Sequence, residues 1–416
     1  MILRERKNEI IVGLDVGTTK ICVLVARVLN GDELHTIAIG LHPSQGMRKG
    51  TVVDIQRTSS DIRSAILKAQ TTAGREITSA IVGVTGKHIS SHNVRGAATI
   101  TNYKGQITEE DIERALQNAE ENLPITKDRK IIHITTRQFI VDGEEGVQHP
   151  EGMFGQHLEV EAHIVTGSSS FIQNLLKAVE LAGIKVEELL LQPIATAEAV
   201  LEEAEKDIGV ALLDIGGGTT DLAIFKNGSV CFSSSIPVGG NHLSSDIMVG
   251  LRTTIEEAER LKQEKGHAIA SLIDPQEPIE VKMVARSETK LIPRRILAEI
   301  IEARLTELFH IVAKEISRAK VGDTLPGGIV LTGGTSLLPG IDLLAEKVLN
   351  MPARVGYPKG IRSLPELPFS PVHATAVGLV LYAFRYGYAH PKRLLGKNPL
   401  ARLFLFFYNL FSKIFR

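Results

Sequence analysis

The chain has 416 residues, with 47 Lys and Arg against 48 Asp and Glu and 43% hydrophobic residues, long enough for two lobes with separate cores. Balanced charge gives no pull toward nucleic acid. Only two cysteines are present, Cys22 and Cys231, both in strand-like contexts without metal-ligand spacing, which fits a reducing cytosol and argues against a disulfide scaffold.

The N-terminal Arg4-Glu5-Arg6-Lys7 precedes an apolar run that breaks at Asp15, so no signal peptide is expected. That run enters Asp15-Val16-Gly17-Thr18-Thr19-Lys20, continues as a strand over 21–29 and turns at Asn30-Gly31. The same writing returns at Asp214-Ile215-Gly216-Gly217-Gly218-Thr219-Thr220-Asp221, with a strand over 222–226 and a turn at Asn227-Gly228. Glycines let main-chain N–H groups approach phosphate oxygens, and threonines add hydroxyl donors. Gly17, Thr18, Thr19 and Lys20 in one copy, and Gly216, Gly217, Gly218 and Thr219 in the other, are the expected phosphate contacts. Asp15 and Asp214 would hold the water shell of a Mg²⁺ bridging the phosphates. Either turn alone reads equally well as a plain hairpin. Two in register, about half a chain apart, imply two similar domains facing each other across one polyanionic ligand.

Between the copies, 59–72 reads as an amphipathic helix and 79–84 as a short strand. The stretch 85–164 interrupts the repeat. It holds strand-like runs over 89–101, 130–141 and 158–165 around one helix, which opens at Thr108 with Asp111 three residues on and has Ile112, Leu116 and Ala119 on one face. This suffices for a small α/β module, read as an interaction surface or as structural filler. A helix over 168–182, a strand over 186–191 and the Gln192-Pro193 junction follow.

After the second copy, 241–317 reads as a largely helical insertion. Glu259 and Lys262 lie one turn apart on a helix, the spacing of a solvated ion pair. Lys290, Arg294, Arg295 and Arg304 lie on and before a further helix, the pattern of a solvated face. A buried-type strand then runs into Gly333-Gly334-Thr335, where a flat base or ribose would lie against the backbone, or which is a plain strand–turn–helix junction.

The C-terminal end is distinctive. Five of thirteen Phe fall within 404–415, and no acidic residue follows Glu366. Wound as a helix from 400, Leu403, Phe404, Phe407, Tyr408, Leu410, Phe411, Ile414 and Phe415 share a broad apolar face, opposite Arg402, Asn409, Lys413 and Arg416. Leu405 falls inside the polar arc and Phe406 at its border. The segment is too short and too charged for a transmembrane span. A core-docked helix would seldom need five Phe facing cations behind a linker framed by Pro391 and Pro399, so an in-plane membrane helix on anionic lipid fits best.

Together, "GLDVGTTK", "LLQPIATAEAVL", "LLDIGGGTTDLAIF", "VGGNHLSSDI", "EEAERLK" and "GGIVLTGGTSLLPG" resemble the actin, Hsp70 and sugar-kinase ATPase superfamily over about 8–385, and within it the FtsA family of bacterial division proteins. The resemblance implies an α/β, actin-like two-lobed ATPase fold of duplicated β-sheet/helix domains, with an inserted small α/β subdomain and a C-terminal amphipathic helix. The implied division is 1A over 8–84 and 165–191, 1C over 85–164, 2A over 192–240 and 318–385, 2B over 241–317, a linker over 386–398 and the membrane helix over 399–416. It implies ATP and Mg²⁺ as ligands, with Glu259, Lys262, Gly333, Gly334 and Thr335 around the nucleoside, and Gln192 orienting a water for slow hydrolysis at best. The alternative for Gln192 is a helix-capping polar residue. The implied partners are other copies in a filament, anionic lipid, the C-terminal peptide of the tubulin-like GTPase FtsZ on 2B (Arg304), and later division proteins on 1C, all at the cytoplasmic face of the septal membrane. Among rivals, MreB is shorter and lacks the 85–164 insert, PilM lacks the Phe-rich tail, a small-molecule kinase needs a cleft base not identifiable here, and an Hsp70 chaperone needs a further domain.

Overall fold

The computed structural model describes residues 9–29, 33–284, 289–320, 325–364 and 368–387. The turn expected at Asn30-Gly31 and the membrane helix expected over 399–416 lie outside the described residues.

The first lobe opens with β1 (Ile10–Val16), β2 (Lys20–Leu29) and β3 (Glu33–Pro43), then the short pair β4 (Met47–Arg48) and β5 (Thr51–Val52), helix α1 (Ile55–Ala73) and β6 (Ser79–Val84). Helix α1 starts four residues before the expected position because Asp54 caps it, accepting from the Arg57 N–H. The insert holds β7 (Ser90–Thr99), α2 (Glu109–Glu121), β8 (Arg129–Val141), β9 (Glu144–Val147) and β10 (His157–Ser168). Thr108 and Asp111 close the expected capping box. Strand β9 adds to the expected elements, and β10 runs on to Ser168 and leads directly into α3 (Ser169–Leu181).

Next come β11 (Lys185–Leu191), α4 (Gln192–Val200) and α5 (Glu203–Ile208), then the second lobe's β12 (Val210–Ile215), β13 (Thr220–Lys226) and β14 (Ser229–Ile236). Asn227 and Gly228 have φ of 53° and 73°, the left-handed pair that a tight hairpin between right-twisted strands requires. Helices α6 (Gly240–Leu251) and α7 (Ile255–Lys265) lead to a hairpin absent from the helical expectation, β15 (Pro278–Lys282) and β16 (Thr289–Pro293), before the long α8 (Arg294–Ala319). The chain closes with β17 (Ile329–Thr332), α9 (Ile341–Leu349), β18 (Ala353–Val355) and α10 (Ala374–Tyr386).

Two five-stranded sheets repeat one another. Their orders are β11-β6-β1-β2-β3 and β18-β17-β12-β13-β14. In each, the three hairpin strands pair antiparallel, the next strand pairs parallel with the first, and the last pairs parallel with that one. The duplicated turn in the sequence is therefore a duplicated sheet. The central strands are buried along nearly their whole length, as strands covered on both faces must be. The insert adds its own sheet, β7-β10-β8-β9, with one face covered by α2.

Between the sheets lie α4 and α10. Every residue of α4 is buried, and a Cβ on Gly378 of α10 would sit 1.8 Å from the Ala195 carbonyl oxygen, so the helices cross with backbone in contact. At the far end of α4, buried Glu198 accepts from Lys206 at 2.9 Å and pairs with Arg385. No helix among the described residues is long and apolar enough to cross a membrane.

Candidate functional site

The two Gly/Thr turns have the same internal geometry. Gly17 N–H donates to Lys20 O at 3.0 Å, and Gly216 N–H to Thr219 O at 2.9 Å. They face each other closely. A Cβ on Gly217 would lie 2.2 Å from Thr19 Cγ2, and one on Gly218 2.6 Å from Thr18 Oγ1. The threonines of one turn thus occupy the space that the glycines of the other leave open. Thr18 Oγ1 accepts from Gly50 N–H at 3.0 Å. Gly240 and Asn241, opening α6, donate to Gly216 O at 2.9 Å and Gly217 O at 2.8 Å.

Behind the turns stand three buried carboxylates. Asp15 accepts from Lys20 Nζ at 2.9 Å and from Gln192 Nε2 at 3.1 Å. Asp214 Oδ2 accepts from Thr196 and Thr375, each at 3.0 Å. Asp221 Oδ1 accepts from Thr85 Oγ1 at 2.5 Å, a bond between the lobes. Burial and then the charge of Asp15 raise Asp214 above the ordinary carboxylate range. Burial takes Asp221 to about 7, against hydrogen bonds from Ser235 and Thr85 and with help from the charges of Asp214 and Asp15. Burial opposes the charge on Lys20, yet neighbouring Asp15 leaves it raised. A divalent cation relieves the crowding against Asp15 that, after burial, raises Asp214. Mg²⁺ keeps most of its water and needs one or two carboxylates, so the donor set of Asp15 and Asp214 fits the ion.

This arrangement fixes a pH dependence. An ordinary carboxylate titrates near ~4, and Asp221 folded does so near 7. Its stabilising contribution is therefore present below about 4 and lost as pH rises through about 7, at ~1.4 kcal/mol for every tenfold fall in proton concentration across that window. Asp221→Asn in nucleotide-free protein is expected to be more stable than the parent at pH 8, with the gap narrowing at pH 5. Thermal unfolding at both pH values measures this, and equal gaps would contradict it.

The other end of the cleft is built by α7 and the β17 turn. Lys262 Nζ donates to Glu259 Oε2 at 2.7 Å, Ser244 Oγ at 2.9 Å and Gly240 O at 3.1 Å. Lys262 is buried. Burial raises the Glu259 pKa, but Lys262 outweighs it and holds the carboxyl low. The pair is a wall of the cleft, which corrects the solvated ion pair suggested by spacing alone. Gly333 has φ of 83°, and a Cβ there would meet Asp214 Oδ1 at 2.4 Å, so glycine is required. Leu337, Leu338, Pro371 and Val372 give this end an apolar lining.

The two turns, the three carboxylates, Glu259, Lys262 and the β17 turn border one cavity of about 530 Å³, with Thr196, Ser235 and Ser244 behind its wall. It brings together Asp15, Gly17, Thr18, Thr19, Lys20, Gln192, Asp214, Gly216, Gly217, Gly218, Thr219, Glu259, Lys262, Gly333, Gly334 and Thr335. Gln192 does not cap α4: its N-cap is Leu191, without a side-chain bond, and Gln192 Nε2 donates instead to Asp15 Oδ1. A Cβ on Gly83 would meet Gln192 Cγ at 2.9 Å, so that glycine makes its room. Arg304 lies away from the cavity and is already engaged, bonding Asp246 of α6 at 2.5 and 3.0 Å and Glu307 at 2.5 Å. Sequence reasoning missed Thr85, Asp221, Asn241 and Thr375 in the cavity wall. Asp221 carried a signal, since it closes the second Gly/Thr motif where the first copy has Cys22 in the matching pair.

Comparison with known proteins agrees with this architecture. A family model described as "Cell division protein FtsA" matches residues 211–378, and one described as "SHS2 domain inserted in FTSA" matches 86–166. The cell division protein FtsA of Pseudomonas aeruginosa is 40% identical over 380 residues, 91% of this chain and 90% of that protein. The chain belongs to the FtsA family. FtsA proteins are cell division proteins, and the fold here is actin-like. The PilM of a PilM-PilN type IV pilus biogenesis complex superposes with a TM-score of 0.65 at 18% identity, covering 90% of this chain and 98% of that one. MreB5 of Spiroplasma citri bound to ADP superposes with a TM-score of 0.54 at 14% identity, covering 91% and 97%. The FtsA-specific SHS2 match falls on the β7-β10-β8-β9 sheet and α2.

Proposed function

We propose that this FtsA-family chain is an ATP-binding scaffold that assembles at the cytoplasmic face of the cell membrane and tethers the FtsZ ring to it at the division septum. The observation that carries the reading is the composite cleft. Both phosphate-type turns, three carboxylates and an apolar end meet in one cavity made by both lobes, so a ligand filling it favours the closed arrangement of the lobes. ATP suits the cleft because N–H donors and Lys20 stand where phosphates would lie, and Glu259, Lys262, Gly333, Gly334 and Thr335 flank the nucleoside end. The solved MreB5 of similar fold was bound to ADP. Asp15 and Asp214 are the residues that would hold a Mg²⁺, which would supply positive charge to offset that of the phosphates. Gln192, fixed on Asp15, orients water for slow hydrolysis at most, since the amide is no base. The chain is a scaffold first and an ATPase second.

The nucleotide-closed form stacks into an actin-like filament. The C-terminal helix predicted over 399–416 binds anionic lipid, subdomain 2B receives the FtsZ peptide, and the 1C insert takes later division proteins. At 2B, a peptide carboxylate would share Arg304 with Asp246 and Glu307. The test is negative-stain microscopy of the full chain on an anionic lipid monolayer with Mg²⁺ and ATP. Filaments are expected with nucleotide and not without it. An equal yield in the two conditions would overturn the role of the cleft in assembly.

A further inference from the structure

The insert's sheet has two unlike faces. Toward α2 it presents Leu158, Val160, Ala162 and Ile164 of β10, and Gly96 of β7, where a Cβ would meet Ala115 O at 2.1 Å. Its opposite face presents Ser91, Asn93 and His163, and these meet β14, an edge strand of the second lobe's sheet. An edge strand carries main-chain groups that its own sheet leaves unpaired. Here the insert's side chains satisfy them. Ser91 Oγ donates to Ser233 O at 2.8 Å and accepts from Ser233 N–H at 3.3 Å. Asn93 Nδ2 donates to Cys231 O at 3.0 Å. Further along, Ser229 Oγ donates to Thr136 O at 3.3 Å.

His163 is the key of this contact. It is 1% exposed. The Asn93 amide nitrogen is spent on Cys231, so its Oδ1 accepts from His163 Nδ1–H at 2.7 Å. Nε2 is then the acceptor, and takes the Ser233 hydroxyl at 3.1 Å. Burial, with the charges of His133, Arg137 and His92, pushes the ring down to about 3, so it is neutral and the tautomer is fixed. The insert's own core contains no residue of β14. At this face the two bodies are held by hydrogen bonds, which water can replace at small net cost.

The same strand leads to the cleft. Two residues beyond Ser233, Ser235 faces Thr85 at 3.5 Å, and Thr85 donates to Asp221 in the cavity wall. Thr85 is the residue that follows β6 on the way into the insert. The insert therefore grips the second lobe at both ends of one strand, once in the cleft and once on its polar face.

We propose that the insert is an interlobe brace: through Ser91, Asn93 and His163 it holds β14, and with it the Asp221 wall, in the closed arrangement, so that nucleotide release requires this contact to break. The inference rests on the reading of the cleft as a nucleotide site. His163, Asn93 and Ser91 are positioning residues, since none borders the cavity.

The experiment uses the full chain, with His163→Ala, Asn93→Ala and Ser91→Ala beside the parent. Release of a fluorescent ATP analogue with Mg²⁺ is followed by stopped flow on chasing with ATP, and hydrogen exchange is read over 90–95 and 229–235 with and without nucleotide. Release is expected to quicken threefold to tenfold in each variant with association unchanged, and nucleotide is expected to slow exchange in both peptides in the parent and not in His163→Ala. A general loss of structure would move association as well. Asn93 is exposed, so Asn93→Ala keeps the test available where His163→Ala does not fold. Nucleotide bound by the parent and released at one rate by parent and variants would overturn the brace alone. A parent that binds no nucleotide would overturn the reading of the cleft and the brace with it.

Discussion

Gly217→Val is expected to abolish nucleotide binding while the chain stays folded. The added Cβ alone would lie 2.2 Å from Thr19 Cγ2 and 3.1 Å from Asn241 Oδ1, and valine's methyls need still more room. Neither neighbour can yield freely. Thr19 belongs to a turn closed by the Gly17–Lys20 bond, and the Asn241 N–H is bonded to Gly217 O at 2.8 Å. The two phosphate-type turns must part, and with them the N–H donors that are to meet one ligand. A loss of at least ~100-fold in affinity, about 2.8 kcal/mol, is expected. The strands behind the turn, buried over Val210–Ile215 and 220–225, keep their pairing, so the thermal transition stays cooperative. Titration with a fluorescent ATP analogue and Mg²⁺ measures the effect, and affinity within threefold of the parent would remove the clamp assignment.

Deleting residues 399–416 is expected to lower lipid binding to background while leaving nucleotide affinity unchanged. The expectation comes from the amphipathic pattern of the sequence there. Burial of each large apolar side chain yields roughly 1.5–3 kcal/mol gross, and each cation near an anionic surface about 1 kcal/mol. Ordering the peptide takes back much of this, so one tail binds reversibly and a filament bearing many binds firmly through effective concentration. Co-sedimentation with vesicles of anionic and zwitterionic lipid checks it. Undiminished sedimentation of the truncated chain would refute the tether, and equal binding to purely zwitterionic vesicles would remove the role of Arg402, Lys413 and Arg416.

What the sequence made legible follows from the range of the interactions. The strand–turn–strand units at Asp15 and Asp214 were readable because their signals are local: continuous apolar runs, glycines at the turns and an Asn-Gly pair whose φ angles are set within two residues. The α2 capping box was readable for the same reason. The β15–β16 hairpin was not, because five-residue strands beside long helices leave only a weak period. Thr85 and its bond to Asp221 were invisible, since the partners are 136 positions apart and neither Thr nor Asp advertises the other. Glu259 and Lys262 misled for the opposite reason: their i,i+3 spacing gives a complete local account, while Gly240 and Ser244 bury the lysine from another helix. The Arg304 fork on Asp246 likewise joins α8 to α6, a pairing fixed only when the helices pack.

The central claim is a tether between polymer and membrane, and flotation of FtsZ polymers with anionic vesicles tests it most directly. FtsZ assembled with GTP is mixed with vesicles and ATP in the presence of the full chain, the chain lacking residues 399–416, or neither. FtsZ is expected in the floating fraction only with the full chain. FtsZ floating equally well with the truncated chain, or remaining at the bottom with the intact one, would contradict the account.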